Sequence, residues 1–472
     1  MYRRLPRFAV PGFGPICLDT NDPETVFDAF RKRLLRDIPK SDVRLLAEFK
    51  KFVAGWVEEN IKKIVPYEFE EWLATTSYNE ARKGELREAW RTLRGGLPDE
   101  HACASIDSFI KSEFYDVFKF ARVINSRSDL FKVFSGPIFK AIEDEVYKHP
   151  AFIKHVPVPD RPVLVDGLRL AGCNFIDSDF EAFESHFVKQ VMEACECALY
   201  TWCVGWWLCE SHVRTLVGTI AGMNKMKMRN GTRGWVVARR MSGDMCTSLG
   251  NGFTNLMLAL FIAHRHGYSI SGFVEGDDGI FALSGVPEGW LEGDDCPLVQ
   301  AYRALGFSIK IHCYDDPCQA SFCGMIFGRS GQIVRDPRHF VRGFAWTQSF
   351  ISAGDKIMFE LLRAKALSAA YETPHCPIVG IFARAAIEAT RGYDARFVND
   401  GFHTRPPSEW TVPEFAPTLE TRMLFADKFG ISPEDQVRAE AMVLSDGMGG
   451  ISELLGPSAA DLFYTTRFVE ID

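Results

Sequence analysis

Two adjacent aspartates, Asp277 and Asp278, sit in the stretch FVEGDDGIFA, between apolar residues. Carboxylates in apolar surroundings are costly without a partner, so the pair asks for a cation. A second group of acids, Asp177, Asp179, Glu181 and Glu184, falls earlier, in FIDSDFEAFESH. Residues two apart on a strand share a face, so Asp177 and Asp179 point together. If that strand pairs beside the Gly-Asp-Asp hairpin, one of them meets Asp277 and Asp278. Three carboxylates at one point repel unless divalent ions neutralise them. Hard oxygen ligands with open positions favour Mg2+ or Mn2+. Two such ions clamp the attacking and leaving oxygens of a phosphoryl transfer. The plainer alternative makes Asp177 a helix cap and the hairpin acids surface turn residues, and spacing alone does not choose between them. The tripeptide also recurs at Gly293 to Asp295, in PEGWLEGDDCPL. That copy is polar and rich in turn signals, so it is expected to cap the helix that follows.

The loop RMSGDMCTSLGNGFTN adds a different chemistry. Ser242, Thr247 and Asn251 offer neutral hydrogen-bonding groups, and Gly243, Gly250 and Gly252 allow close backbone approach. Such a set suits a ribose and base better than a phosphate alone. An ordinary helix cap would explain one of these residues, not all. Two basic runs lie near this chemistry in sequence: Lys119 to Arg127 (KFARVINSR) and Lys225 to Arg240 (KMKMRNGTRGWVVARR). A charge run is usually a solvated face. Here proximity to the carboxylates makes a phosphate-facing role an equal alternative.

These groups need a scaffold. ISGFV, EGDDG and IFALSG read as strand, turn and strand, and GCNFIDSDF as another strand. A helix is expected from about Glu181 to Leu216, and a long apolar one after the glycine-rich loop. CPLVQAYRALGF reads as a helix, SIKIHCY as a strand and ASFCGMIF as a short strand. Residues 20–95 read mostly helical, with aspartate or serine caps, and the chain from about Arg329 is again mainly helical. The 472 residues suffice for two or three subdomains, and 47% hydrophobic with 25% charged residues is an ordinary globular composition. The net charge of −8 argues mildly against a nucleic-acid partner, but the local basic runs outweigh the sum. The 13 cysteines include no CxxC pair, so free thiols in a reducing compartment are expected over a zinc site. No apolar run is long enough for a signal peptide or a membrane span.

Taken in order, the motifs resemble the RNA-dependent RNA polymerases of positive-strand RNA viruses, of the tombusvirus and carmovirus type within the flavivirus-like group. DFEAFESH resembles the first motif of the family's palm, which aligns Asp179 with the catalytic aspartate and Glu184 with a second acid. The family usually has aspartate there, so Glu184 is a departure, and Asp177 stays open as the ligand should the register slip by two. RMSGDMCTSLGN is similar to the second motif and carries over Ser242, Gly243, Asp244, Thr247 and Asn251. EGDDG is similar to the third. LGFSIKI resembles the fourth, whose lysine, here Lys310, is implied to protonate the leaving pyrophosphate. SFCG, Ser321 to Gly324, resembles the primer grip. FIKSEFYDVFKFARVINSR looks like the basic fingertip motif, giving Lys111, Lys119, Arg122 and Arg127 for the triphosphate. Any one motif is weak; six in order are specific.

The resemblance implies an α+β right-hand fold: an antiparallel palm sheet, helical fingers and a helical thumb. The expected units are 1–165 fingers with an N-terminal fingertip extension, 166–186 palm, 187–235 fingers, 236–328 palm and 329–472 thumb. It implies template-directed nucleotidyl transfer from ribonucleoside triphosphates by two Mg2+ or Mn2+ ions held by Asp179, Asp277 and Asp278, replicating a viral RNA genome. Glu184, Ser242 and Asn251 are placed to test for the ribose 2′-hydroxyl. Glu184 either bonds Asn251 or Ser242, or turns to a fingertip base such as Arg122. Lys225, Lys227, Arg229, Arg239 and Arg240 are expected to bind RNA. The implied partners are a single-stranded RNA template, the nascent RNA and viral or host replication proteins. The implied location is the host cytoplasm, in a complex attached to membranes through those proteins. Two rivals share parts of this pattern. A reverse transcriptase usually places a bulky aromatic where a deoxyribose must pass, and Glu184 and Asn251 argue against it; a catalytically silent RNA-binding relative need not keep Asp179, Asp277, Asp278 and Lys310.

Overall fold

The structure, a computed structural model, describes residues 2–16, 18–115, 118–398, 402, 404–445 and 447–456. The end of the expected 329–472 unit therefore lies outside the described residues. The described chain is α+β. Eight strands build its two larger sheets: β1 (Ser105–Ile110), β2 (Val123–Arg127), β3 (Asn174–Phe180), β4 (Met223–Met228), β5 (Arg233–Val237), β6 (Ser269–Glu275), β7 (Asp278–Ser284) and β8 (Ile309–Tyr314).

The carboxylate-bearing sheet runs β6-β7-β3-β8, antiparallel throughout. The strand carrying Asp177 and Asp179 thus does pair beside the Gly-Asp-Asp hairpin. Alternation separates its two faces. Ile176, Phe180, Phe281, Leu283 and Ile309 enter the largest core, beside Phe253, Leu256 and Met257 of the long helix Thr247–His266. On the opposite face, Phe175, Ile280 and Ala282 pack on Ile153, Leu168, Phe322 and Phe327. That second cluster covers one end of the face only. The other end, which carries Asp179, Asp278 and Lys310, is open.

The second sheet runs β2-β1-β4-β5, with β1 and β4 parallel and the other pairs antiparallel. Its inner face presents Ile106, Ile110, Val123, Met226, Met228 and Val236, which pack on Val26, Ala29, Phe30 and Leu34. The basic run Lys225 to Arg240 is therefore mostly a hairpin. Its Met-Lys alternation follows the strand period: Met226 and Met228 inside, Lys225 and Lys227 outside.

Some expected elements differ. The helix proposed for Glu181 to Leu216 is broken into a short 3-10 turn, Phe183–His186, and helices Lys189–Ala194, Glu196–Val204 and Glu210–Ile220. Leu5, Phe8, Val10 and Phe13, within the expected N-terminal fingertip extension, pack among the C-terminal helices, against Phe340, Phe344 and Phe382. The second Gly-Asp-Asp does not cap the next helix. Cys296 occupies the cap of Pro297–Ala304 and no side chain bonds its first turn. Cys195 and Cys197 are free, buried thiols, pushed up from their ordinary value by burial.

Candidate active site

The Gly-Asp-Asp hairpin is a two-residue turn. Glu275 and Asp278 close it as the last paired residues of β6 and β7. Gly276 takes φ +65°, the positive value that the first place of such a turn favours. The turn is held from behind by Asn255, a fully buried amide on the apolar side of the long helix. Its Nδ2 lies 3.1 to 3.4 Å from the carbonyl oxygens of Gly276, Asp277 and Asp278. Asn255 lies outside the motif RMSGDMCTSLGN that marks Ser242 and Asn251. The available signal was a lone amide inside the apolar run after GNGFT.

Register brings the other groups to the same point. Ser178 stands opposite Gly279, which sets Asp179 at the next position, beside Asp278. On its other side Asp179 stands opposite Lys310. Cross-strand neighbours share a face with Cβ atoms about 5 Å apart, so Asp278, Asp179 and Lys310 form one row. Asp179, Asp277 and Asp278 are exposed, and none of the three carboxylates has a side-chain partner among the described residues. Asp278 opens to solvent, yet the surrounding protein displaces much of its water. That lost hydration, then Asp277, Glu275, Asp179 and Asp177, raises its carboxyl to about 7. Such a site gains from a cation.

Asp177 differs from Asp179. It is buried, and its carboxylate accepts from Tyr314 Oη and pairs with His312 Nδ1, each at 2.7 Å. Glu275, just before the turn, is held by the buried Arg161 at 2.8 Å. Lys310 is largely exposed and reaches Glu181 at 3.7 Å. Among the described residues, only Glu143, Asp144 and His155 set three ligand atoms within 4.8 Å of one another. Lys140 pairs with both of those acids and Tyr67 bonds Asp144, so they are already compensated.

The loop before the long helix is locked from both sides. Thr247 Oγ1 sits 3.0 and 2.9 Å from the carbonyls of Met241 and Asp244, closing the loop on itself. A Cβ on Gly243 would lie 2.5 Å from Asn125 O, so the loop touches β2 where only glycine fits. Ser242 is half-buried and has no hydrogen-bond partner among the described residues. Asn251 Oδ1 accepts from Arg240 Nε at 2.9 Å, which leaves its amide N–H groups to the site.

Two arginines are corrected. Arg127 was expected on the triphosphate. It is buried and forked onto Asp244 at 2.8 Å, with further bonds to Asn224 Oδ1 and Cys103 O. Arg240 was expected on RNA. It is buried on Glu196 at 2.7 Å, over the Phe187 ring. Both guanidiniums brace the loop and neither meets solvent. Arg239 is half-buried and donates to Leu34 O. Lys225, Lys227 and Arg229 are exposed on the outer face of the second sheet.

Glu184 resolves its own alternatives. It bonds neither Asn251 nor Ser242. Its carboxylate stands 2.8 Å from Arg33 Nε, a basic residue of the N-terminal segment, though not the expected Arg122. Burial raises Glu184, partly offset by Arg33, and it also feels Asp277 and Arg122. Arg122 is exposed and pairs with Glu113, which also holds Lys111 at 2.8 Å. Asp277, Glu184 and Arg122 thus share one electrostatic neighbourhood. Lys119 is exposed on the loop before β2.

Residues 214–446 match a family model described as viral RNA dependent RNA polymerase. The matched segment takes in the loop, both Gly-Asp-Asp copies and Lys310, and begins after Asp179 and Glu184. No curated protein matched the chain. The match is with RNA-directed RNA polymerases. With the loop, hairpin and lysine all inside it, the matched segment, just under half of the chain, is that of a viral RNA-dependent RNA polymerase, a nucleotidyltransferase.

Proposed function

We propose that the chain copies a viral RNA genome from ribonucleoside triphosphates, with Asp179, Asp277 and Asp278 as the carboxylates that hold divalent ions. The observation that carries this reading is the open row Asp278, Asp179 and Lys310, in which lost hydration and then the neighbouring acids raise Asp278 to about 7 and none of the three acids is ion-paired among the described residues. Bound there, Mg2+ or Mn2+ would supply charge neutralisation at the α-phosphate and activation of the attacking 3′-hydroxyl. Asn255 holds the turn so that Asp277 and Asp278 stay aimed into the row. Arg122, with Lys111 and Lys119, approaches the triphosphate from the fingertip side, where a planar guanidinium fork suits phosphate oxygens. Lys310 stands beside Asp179 and is the proton donor to the leaving pyrophosphate. Ser242 and the Asn251 amide read the ribose 2′-hydroxyl, while Glu184 is paired with Arg33.

In this reading the all-antiparallel sheet is the palm, the mixed sheet with the N-terminal helices forms the fingers, and the helices after residue 329 form the thumb. Only the resemblance supports the cytoplasmic, membrane-attached complex with viral or host proteins. The test is ribonucleotide incorporation on single-stranded RNA without a primer. Synthesis should follow template sequence, require Mg2+ or Mn2+, and stop when a chelator removes the ion. Incorporation that persists in chelator, or that ignores the template, contradicts the proposal.

A further inference from the structure

The mixed sheet has an outer face that the described residues leave open. Strand parity turns Lys225 and Lys227 of β4 outward, with Arg233 and Trp235 of β5 and Phe109 of β1. Register orders them. Lys225 stands beside Trp235, and Lys227 stands between Arg233 and Asp107. Just past the end of β4, Arg229 lies over the Phe109 ring at 5.7 Å. Trp235 is 73% exposed, the most open of the large aromatic residues described. Lys225, Lys227, Arg229 and Arg233 have no carboxylate partner among the described residues. Asp107 is the one acid that faces out with them. The face is turned away from the inner side of the sheet, where Arg127 and Asn125 meet the Asp244 loop, so it lies outside the catalytic row.

We propose that this face is a binding surface for single-stranded RNA, separate from the catalytic cleft, in which a base stacks on Trp235 and phosphates lie along Lys225, Lys227, Arg229 and Arg233. Charge and shape together favour RNA over another occupant. In a chain of net charge −8, four unpaired cations on one face are placed to meet a polyanion. A flat aromatic between them adds what an extended strand with free bases offers and a duplex does not. Lysines two apart on a strand repeat about every 6.8 Å, which lets successive side chains track an extended backbone. The proposal rests on the reading that the enzyme works on RNA strands, yet concerns binding and not chemistry.

The experiment uses the full chain carrying Asp277→Ala, without nucleotides, so that the RNA is neither copied nor extended, and measures affinity for a labelled, unstructured single-stranded RNA across a salt series. Trp235→Ala should weaken binding by roughly fivefold to a hundredfold, the loss of one stacked base, with little change in salt slope. Trp235→Phe should restore most of it. Lys225→Gln with Lys227→Gln should flatten the slope of log affinity against log salt by about 1.4. In chains with Asp277 intact, Trp235→Ala should incorporate nucleotides at the unaltered rate once template is saturating. Failed synthesis in the unaltered chain, with these binding effects present, would remove the catalytic reading and leave the surface standing. Unchanged RNA affinity in Trp235→Ala and in the double lysine variant overturns the proposal. So does a loss confined to adhesion on vesicles of phosphatidylserine and phosphatidylcholine, which would make the face a membrane contact.

Discussion

Gly276-Asp277-Asp278 and Gly293-Asp294-Asp295 are the same tripeptide in two settings. Their backbones even begin alike, with both glycines at positive φ, +65° and +84°. The surroundings differ. The first copy closes a two-residue hairpin, is clamped from behind by Asn255 and stands in register with Asp179 and Lys310. The second lies in an exposed turn, where Asp295 pairs with Arg303 at 2.6 Å and its carbonyl accepts from Gln300. Paired acids become a site when strand register gathers further carboxylates and withholds a cation. Beside an arginine and open water they are a solvated turn.

The sharpest way to break this comparison lies on β3. Asp179→Asn should lower incorporation by about a thousandfold, the scale seen when a group aimed at developing charge is removed. Asp177→Asn, whose carboxylate is committed to His312 and Tyr314, should keep most of the activity. Equal losses in both would dissolve the distinction between the open and the closed aspartate. The next effect concerns the clamp that only the first copy has. Asn255→Ala should cut the turnover rate about tenfold to a hundredfold, as loss of an orienting group around a metal ligand does, while leaving the apparent nucleotide affinity nearly unchanged. A loss in nucleotide affinity with normal turnover would give Asn255 another role.

A smaller effect tests sugar choice. Asn251→Ala should reduce the preference for a ribonucleotide over its 2′-deoxy analogue by about tenfold. Glu184→Gln and Arg33→Met should each change that ratio only a few-fold, and the double variant should do no more than either alone, because both break one ion pair. Fully additive effects would mean that Glu184 and Arg33 act apart. The smallest effect is in stability. Burial, then the Arg36 charge, lowers the His186 imidazole from 6.5 to about 4. Its Nε2 accepts from the backbone N–H of Ser308 at 3.0 Å, which ties the first motif to β8. The unfolded chain takes up this proton near the ordinary value and the folded chain only near 4. Stability therefore falls as pH drops through that window. Between about pH 7.5 and about pH 4.5 the loss should be about 2 to 3 kcal/mol, and His186→Gln should remove that share of the slope in denaturant titrations.

Much of the site was legible because its signals are local. Alternation around GDD, glycines in the loop and the order of motifs all survive in a one-dimensional reading. The β4 and β5 hairpin was legible in principle, since MNKMKM alternates with period two, but charge masked the pattern. Arg127 was misassigned for a related reason. Nearness in sequence suggested the cleft, whereas strand parity puts it on the face of Val123 and Asn125, both buried. Arg240 follows a bend at Ala238 and Arg239, both at positive φ, which no neighbouring residue announces. The partner of Glu184 could not be read at all. Arg33 is distant in sequence and meets it only because Val26, Phe30 and Leu34 dock on the mixed sheet.

We assign the chemistry to the first Gly-Asp-Asp and none to the second. The direct measurement is template-directed ribonucleotide incorporation by Asp277→Ala and Asp294→Ala, prepared and assayed side by side with Mg2+ or Mn2+. A folded Asp277→Ala should give no detectable synthesis and Asp294→Ala near-unaltered synthesis. Synthesis by Asp277→Ala together with its loss in Asp294→Ala would put the chemistry on the second copy instead.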